Sequence, residues 1–422
     1  MPSQRRIFYK RNPAVLQDRL SQLLTFHDPT SGCTWWVRAI INFWPLPHRP
    51  SNADYVKLCE AFRAFLESID FSRLPLQDDT VTLVTLKLAD PGILDQYLLP
   101  FESRERVPEG YFIDLRPKMK CDISIDKQRI RYPVPDKRHR DLPKFHRSVL
   151  ENTTEIEGAI HQVTIDGRKY VHKIIERANY YPSDTKHILD EIDAYVRFRG
   201  VPHIAELAGI VVSENPYRTH PPSPEKPENR AEVIIGLLLP YYPYGTLATV
   251  SQLNVPQGNL DPQPKSIFSN FSSFFGEQAV PTIPPFDRRL IEWAKQVGRG
   301  LTSMHHAGRT HVDVKTSNAM LDENQNARLI DISGTSAWTW EFLSPEMEAL
   351  LSGREEVDLE KIPFDIRVGT DCWAFGKVLR SLYKSSSRGN EAALLLEVAS
   401  RLTADDPGNR ISLADALAML DR

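Results

Sequence analysis

Apolar residues recur along this chain at spacings that predict most of its regular structure. Residues 14–24 and 52–69 carry them at helical spacing, and Ser51 is a candidate cap for the second helix. Residues 80–88 alternate apolar with polar and are rich in β-branched side chains, which predicts a strand. The first third of the chain is therefore expected to be a separate α/β region.

From residue 146 onward the pattern changes from strands to helices. Residues 149–173 predict paired strands that turn at Asp166 and Gly167, a pair typical of tight hairpins. The next predicted elements are a helix, two strands and a long helix, at residues 184–199, 204–212, 232–239 and 287–306. This order predicts an α+β domain with a strand-rich beginning and a largely helical remainder.

Proline-rich stretches divide these elements. Residues 129–144 contain three prolines and many charges, which indicates a linker. Residues 215–229 and 251–285 are dense in Pro, Ser and Asn and predict surface loops. We expect an N-terminal region with its linker at 1–145 and a second domain at 146–420.

Composition argues against several classes of protein but does not by itself indicate a function. The 422 residues are 41% hydrophobic and 25% charged, as in ordinary globular proteins, and the net charge of −3 gives no reason to expect nucleic acid or an anionic membrane as a partner. Four cysteines lack the CxxC spacing of a zinc site, and no apolar run is long enough to span a membrane. A soluble intracellular protein, cytoplasmic or nuclear, is expected.

The stretch from His311 to Asn318 carries the most specific chemistry. Asp313 is followed two residues later by Lys315, and Asp331 comes thirteen residues after Asn318 at the end of a short apolar strand. Phosphoryl transfer from a nucleotide needs a base for the acceptor hydroxyl, a cation on the migrating phosphate and two oxygen ligands for magnesium. These residue types match that requirement.

The same stretch resembles the catalytic loop and metal-binding strand of the protein kinase family, H-x-D-x-K-x-x-N followed by D-x-G. The resemblance implies a two-lobed fold with a small β-rich lobe at about 146–240 and a large helical lobe at about 241–420.

The resemblance also implies roles for single residues. Asp313 would orient and deprotonate the acceptor, and Lys315 would neutralise the transferred phosphoryl group. Asn318 and Asp331 would bind Mg²⁺. Lys173, at the end of a predicted strand, would contact the α- and β-phosphates of ATP.

A lysine in that role needs a carboxylate partner, and helix geometry selects one. The helix at 184–199 has an apolar face formed by Ile188, Ile192, Tyr195 and Val196. At about 100° per residue, Glu191 borders that face whereas Asp190 and Asp193 point away. Glu191 is therefore the predicted partner of Lys173.

Two further segments resemble parts of the kinase fold. Residues 237–247 resemble the hinge between the lobes, where the carbonyl of Pro240 and the amide of Tyr242 would bond adenine, because proline has no amide hydrogen. Glu346, in Ser-Pro-Glu, resembles the glutamate that ends the activation segment of kinases, and Arg410 resembles the arginine that pairs with it. We expect them to form a buried ion pair.

The chain departs from the family pattern at three places. Residues 150–158, at the position of the glycine-rich loop, contain one glycine and three acids, which would repel phosphates if they faced them. Ser333 occupies the glycine position of D-x-G, with Gly334 one residue later. Val312 stands where regulated kinases carry arginine.

Without that arginine, a phosphate on the activation segment has no main charge partner. Switching by phosphorylation is therefore not expected. Single replacement of Thr335, Ser336 or Thr339 by alanine is expected to be tolerated.

These features predict an ATP- and Mg²⁺-dependent protein kinase that phosphorylates Ser or Thr of an unidentified protein substrate. A pseudokinase, which would keep the fold as a binding module without turnover, is the main alternative. A kinase of small metabolites is a third possibility, disfavoured by Glu346 and Arg410. Residues 1–145 resemble no family and carry no catalytic constellation.

Overall fold

The structure is a computed structural model that describes residues 6–10, 14–16, 19–42, 52–88, 119–175, 182–221, 232–253, 286–334, 338–353, 357–386 and 389–422. The chain forms two compact units. Unit 1 comprises Met1–Val134, Ala178–Pro182 and Ser213–Val233, and unit 2 comprises Pro135–Arg177, Ser183–Val212 and Ile234–Arg422. The division after Val134 falls inside the stretch predicted to be a linker.

Unit 1 is built on a six-stranded sheet with one helix. Its strands are β1 (Ile7–Tyr9), β2 (Ala14–Leu16), β3 (Arg19–His27), β4 (Thr34–Asn42), β5 (Val81–Leu88) and β6 (Met119–Ile125), in the order β1-β3-β4-β5-β6 with β2 on β3. Helix α1 (Asn52–Glu67) joins the parallel strands β4 and β5 and packs Phe62, Phe65 and Leu66 into the core. The predicted helix at 52–69 and strand at 80–88 are confirmed.

The helix predicted at residues 14–24 is wrong, because β2 and the first part of β3 occupy that stretch. Leu20 and Leu24 are both buried. A spacing of four puts two residues on one face of a helix and equally on one face of a strand. The pairing of β3 with β4 along nine residues decides between the two.

The first part of the insert predicted at 215–229 is not an exposed loop. Tyr217 and Thr219 are buried in unit 1. The Tyr217 hydroxyl accepts from the amide of Ile130 at 3.1 Å, and its ring meets Trp36 edge-on at 5.3 Å. Residues 222–229 lie outside the described part of the chain, as do 254–285 of the second insert.

Unit 2 begins with a second six-stranded sheet. Its strands are β7 (Lys144–His146), β8 (Glu151–Glu157), β9 (Ile160–Ile165), β10 (Arg168–Ile174), β11 (Gly209–Ser213) and β12 (Val233–Pro240), in the order β7-β11-β12-β10-β9-β8. Asp166 and Gly167 both have positive φ, 48° and 74°, as a two-residue hairpin turn requires. Helix α2 (Pro182–Arg197) follows β10, as predicted.

The rest of unit 2 is mostly helical. Its helices are α3 (Leu247–Leu253), α4 (Phe286–His306), α5 (Pro345–Leu351), α6 (Phe364–Lys384), α7 (Asn390–Leu402) and α8 (Leu413–Leu420), and a small hairpin joins β13 (Ala319–Leu321) to β14 (Ala327–Leu329). Helices α4 and α6 bury Trp293, Leu301, Phe375 and Leu379. The protein is therefore mixed α+β. Among the described helices, none is long and apolar enough to cross a membrane.

Candidate active site

The carboxylate of Asp313 is held by three side chains. Lys315 Nζ lies 2.7 Å from Asp313 Oδ2, and Asn318 Nδ2 donates to the same oxygen at 3.1 Å and to the Asp313 carbonyl at 2.9 Å. The Thr339 hydroxyl donates to Asp313 Oδ1 at 2.7 Å and accepts from Lys315 Nζ at 2.8 Å. Both carboxylate oxygens are therefore fixed in direction.

The backbone of this loop is held by a buried acid on α6. Both oxygens of Asp371 accept backbone amides, from Val312 at 2.7 Å and from His311 at 2.8 Å, and His305 Nε2 lies 2.8 Å from one of them. Val312 has a φ of 66°, a conformation that costs a β-branched residue about 1–3 kcal/mol. The two backbone amides that donate to the Asp371 carboxylate hold the loop in this conformation.

Asp331 follows β14 and lies beside the loop. The Ile330 amide donates to the carbonyl of Asn318 at 3.0 Å, and His311 Nε2 bonds the Ile330 carbonyl at 2.9 Å. On the other side, the Asp331 amide donates to the hydroxyl of Tyr195 on α2 at 3.2 Å. Asp331 is thus positioned from three elements.

Lys173 at the end of β10 joins two carboxylates. Its Nζ lies 2.8 and 3.0 Å from the two oxygens of Glu191 on α2, which confirms the predicted contact, and 2.7 Å from Asp331 Oδ1. Burial would lower the pKa of Lys173, but Asp331 and Glu191 outweigh it and raise the pKa above its usual value. Burial would likewise raise the pKa of Asp331, and Lys173 reverses this and lowers it. Both groups are therefore charged at neutral pH.

A cavity of about 280 Å³ opens against this cluster within unit 2. Its apolar lining residues are Ile156, Ile160, Val171, Leu239, Met320 and Ile330. Its polar lining residues include Lys173, Lys315, Ser317, Asn318 and Asp331. Asp331 keeps 43% of its side chain exposed and lines the cavity. The cavity therefore combines apolar walls with several charged and polar side chains.

The predicted hinge residues also line the cavity. Pro240, the last residue of β12, and Tyr242 both contribute to its wall. Two predicted residues do not line it: Glu191 reaches it through Lys173, and Asp313 through Lys315 and Asn318. All eight predicted site residues thus belong to one connected group.

The acidic stretch at 150–158 forms β8 and the turn after it. Ile156 is the residue of β8 that lines the cavity, whereas Glu151 and Glu155 are exposed and do not line it. The side chain of Glu157 lies outside the described part of the structure. Glu151 and Glu155 therefore do not face the cavity, as repulsion of a phosphate in it would require.

Glycine is required at position 334. Gly334 has a φ of 68°, and a Cβ built there would clash with the carbonyl oxygen of Thr310. Ser333, which precedes it, is buried. The tight turn after Asp331 therefore depends on Gly334.

Asn318 and Asp331 are the residues of the site that could hold a magnesium ion. Nδ2 of Asn318 donates to Asp313, so the side-chain oxygen of Asn318 and the carboxylate of Asp331 are the candidate ligands. Magnesium is commonly bound by one or two protein oxygens, with phosphates and water completing its octahedron. In the described residues no group of three or more His, Cys, Asp or Glu could hold a metal.

Glu346 and Arg410 form the predicted pair, but it is only half buried. Two parallel bonds of 2.9 Å join the guanidinium to the carboxylate. The Arg410 side chain is 10% exposed, whereas that of Glu346 is 36% exposed, because Glu346 lies in the first turn of α5 near the surface. The hydrogen bond from Arg410 lowers the pKa of Glu346. The expectation of full burial is therefore corrected.

Two residues of the site were not predicted. Tyr195 lies one turn after Glu191 on the same helix, and that spacing is a signal that could have found it. Thr339 lies in a segment with no recognisable spacing and was considered only as a residue that tolerates alanine. The expectation that Thr339 tolerates alanine conflicts with its two bonds to Asp313 and Lys315. Thr335 and Ser336 lie outside the described residues.

Comparisons with known proteins give no assignment. No protein-family model matches the chain, and no curated protein sequence matches it. What the protein does must be inferred from its own residues.

Proposed function

We propose that unit 2 is a two-lobed, protein-kinase-like domain that transfers the γ-phosphate of ATP to a Ser or Thr hydroxyl of a protein. One observation carries the proposal. The Lys173–Glu191–Asp331 cluster and the Asp313 network reach the wall of a single cavity, the first through Lys173 and Asp331 and the second through Lys315 and Asn318. Binding of a nucleotide and activation of a hydroxyl need those two groups side by side.

The shape and polarity of the cavity match ATP. Apolar side chains line the cavity from the six-stranded sheet, such as Val171, and from the small hairpin, such as Met320 in β13. They would contact the two faces of a planar base. Pro240 and Tyr242 also line the cavity, and their backbone groups would bond the edge of that base. Ligand pockets commonly combine apolar walls with a few polar groups that fix orientation. The triphosphate would then extend toward Lys173.

Each residue of the loop would have its own role in phosphoryl transfer. Asp313 would accept a hydrogen bond from the acceptor hydroxyl and take its proton as the hydroxyl oxygen bonds the γ-phosphorus. The bond from that phosphorus to the β,γ-bridging oxygen would break at the same time, and ADP would leave. Thr339 and Lys315 hold the Asp313 carboxylate, and Lys315 also brings positive charge to the transferred group. Magnesium, when bound at Asn318 and Asp331, would supply further charge neutralisation to the phosphates.

Lys173 and Asp331 would exchange partners when ATP binds. Without nucleotide they form an ion pair of 2.7 Å. Phosphate oxygens would replace Asp331 as a partner of Lys173, while Glu191 keeps the ammonium in place. The Asp331 carboxylate would then be available to the metal.

The proposal is tested by binding and turnover measured together. ATP should raise the melting temperature, and more so with magnesium, because a ligand at one hundred times its Kd stabilises by about 2.7 kcal/mol. Radiolabelled ATP should transfer phosphate to a protein acceptor, and Asp313→Asn should stop this transfer while still binding ATP. Binding without transfer would indicate a pseudokinase. Absence of both would overturn the proposal.

A further inference from the structure

A second cavity lies on helix α6 and is not part of the site above. Its volume is about 460 Å³. Helix α6 contributes Trp373, Lys377, Arg380 and Lys384 to its wall. These residues are four, three and four positions apart, so all lie on one face of the helix. We call this place the α6 cavity.

The three cations of the α6 cavity have no acidic partner. Among the described residues, Lys377, Arg380 and Lys384 form no ion pair with a carboxylate; the Arg380 guanidinium bonds the hydroxyl of Thr403 at 3.0 Å. Other surface cations of unit 2 do have such partners, as Arg401 has Glu397 and Lys186 has Asp190. Like charges one turn apart on a helix repel each other, so this face is unfavourable without an anion.

Trp373 forms an apolar part of the cavity wall. It is 9% exposed, and the ammonium of Lys377 lies 5.7 Å from the centroid of its ring. The α6 cavity thus combines an aromatic ring with three cations that lack a carboxylate partner. Oxygen atoms carrying negative charge would pair with these cations.

The α6 cavity is close to the segment that holds the proposed base. Glu341 and Phe342 line the cavity, and they follow Thr339 by two and three residues. An extended chain advances at most about 3.6 Å per residue, so Glu341 lies within roughly 7 Å of Thr339 along the chain. Thr339 in turn contacts Asp313. A peptide with its hydroxyl at Asp313 could therefore reach the cavity.

We infer that the α6 cavity binds acidic side chains of the protein substrate, located a few residues from the hydroxyl that is phosphorylated. The inference rests on the proposed kinase function. Carboxylates of Asp or Glu would pair with Lys377, Arg380 and Lys384, and pairs of this kind give specificity and speed association. Substrates would thus be selected by an acidic sequence beside the acceptor serine or threonine.

The test uses two fluorescent peptides, each with one serine, that differ only in having Glu or Gln at the positions a few residues from the serine. Their binding to the full chain is measured by fluorescence anisotropy without ATP, so that turnover is not needed. We expect the Glu peptide to bind about tenfold more tightly than the Gln peptide. The combined change of Lys377, Arg380 and Lys384 to Gln should remove this difference. Arg401→Gln, a paired cation on α7, should leave it unchanged.

A second variant guards against loss of folding in the triple change. Glu341→Gln removes the carboxylate at the cavity and should tighten binding of the Glu peptide. With ATP and magnesium, the triple variant should raise KM for the Glu peptide and leave kcat unchanged.

Equal binding of the two peptides, or triple-variant binding equal to that of the native chain, overturns the α6 cavity as an acidic site. Cavity-dependent binding without phosphate transfer would instead overturn the kinase proposal alone.

Discussion

The hydroxyl of Thr339 lies 2.7 Å from Oδ1 of Asp313, although twenty-six residues separate them in the sequence. The bond ties the end of the segment after Asp331 to the loop that carries the proposed base. Lys315 Nζ donates to the same Thr339 hydroxyl at 2.8 Å. The direction of the Asp313 carboxylate therefore depends on how that segment is folded.

Thr339→Ala is expected to lower kcat by about 100-fold, because a small displacement of a catalytic group has that effect. Thr339→Ser keeps the hydroxyl and should restore most of the rate. The melting temperature should change little in either variant, since Thr339 is only half-buried. Steady-state kinetics of both variants check this, and an unimpaired alanine variant would remove Thr339 from the site.

Asp331→Asn is expected to abolish magnesium-dependent transfer. The amide lacks the negative charge that binds a metal and that pairs with Lys173 at 2.7 Å. The measurement is phosphate transfer across a magnesium titration, with circular dichroism as the check on folding. Asp358→Asn serves as the control, because this exposed acid pairs with Lys361 and asparagine can keep its bond to the Glu360 amide. Full activity of the Asp331 variant would show that the metal is held elsewhere.

Activity is expected to survive treatment with a phosphatase. Val312 packs in a buried apolar cluster with Leu343 and Met347, so the loop is joined to the start of α5 without any phosphate. Transfer rates before and after dephosphorylation, with mass spectrometry of the chain, give the comparison. A large loss of rate traced to one phosphorylated residue after Asp331 would contradict this expectation.

Arg410→Ala is expected to lower the free energy of unfolding by about 2 kcal/mol, the range of hydrogen bonds to charged groups. A fully buried pair would lose about 3–5 kcal/mol, but Glu346 is too exposed for that. Asp313→Asn should leave the melting temperature nearly unchanged. Chemical denaturation of both variants distinguishes them, and a native-like Arg410 variant would show that the pair adds no stability.

Stability is expected to fall on acidification because of His172. Burial, followed by the charges of His161 and Arg147, lowers its pKa from 6.5 to about 4. The unfolded chain takes up the proton first, so stability present above pH 6.5 is lost as the pH falls toward 4. The full effect is about 3 kcal/mol.

Replacing His172 by Gln should flatten this part of the pH profile. Denaturation curves between pH 7 and 4 measure the slope. An equal slope in the native chain and the variant would assign the acid sensitivity to other groups.

The local sequence pattern was enough to predict several helices, strands and turns and the partner of Lys173. The spacing on α2 selected Glu191 over its acidic neighbours, and the turn at Asp166 followed from residue type alone. Residues 14–24 could not be predicted, because Leu20 and Leu24 satisfy both periods and only pairing with β4 decides. Thr339 could not be predicted either, since its role arises from a contact across twenty-six residues.

The segment from Ser213 to Val233 belongs to unit 1, although the chain on both sides of it belongs to unit 2. Thr219 exchanges two bonds of 2.9 Å with Asp79, and its carbonyl accepts the amide of Thr34. No single cut of the chain can therefore separate the units. A fragment that begins at Pro135 would keep Tyr217 and Thr219 but would lack the residues they contact. Those residues are Trp36 and Ile130 for Tyr217, and Thr34 and Asp79 for Thr219. Complementary fragments would have to be joined across two breaks to rebuild unit 1.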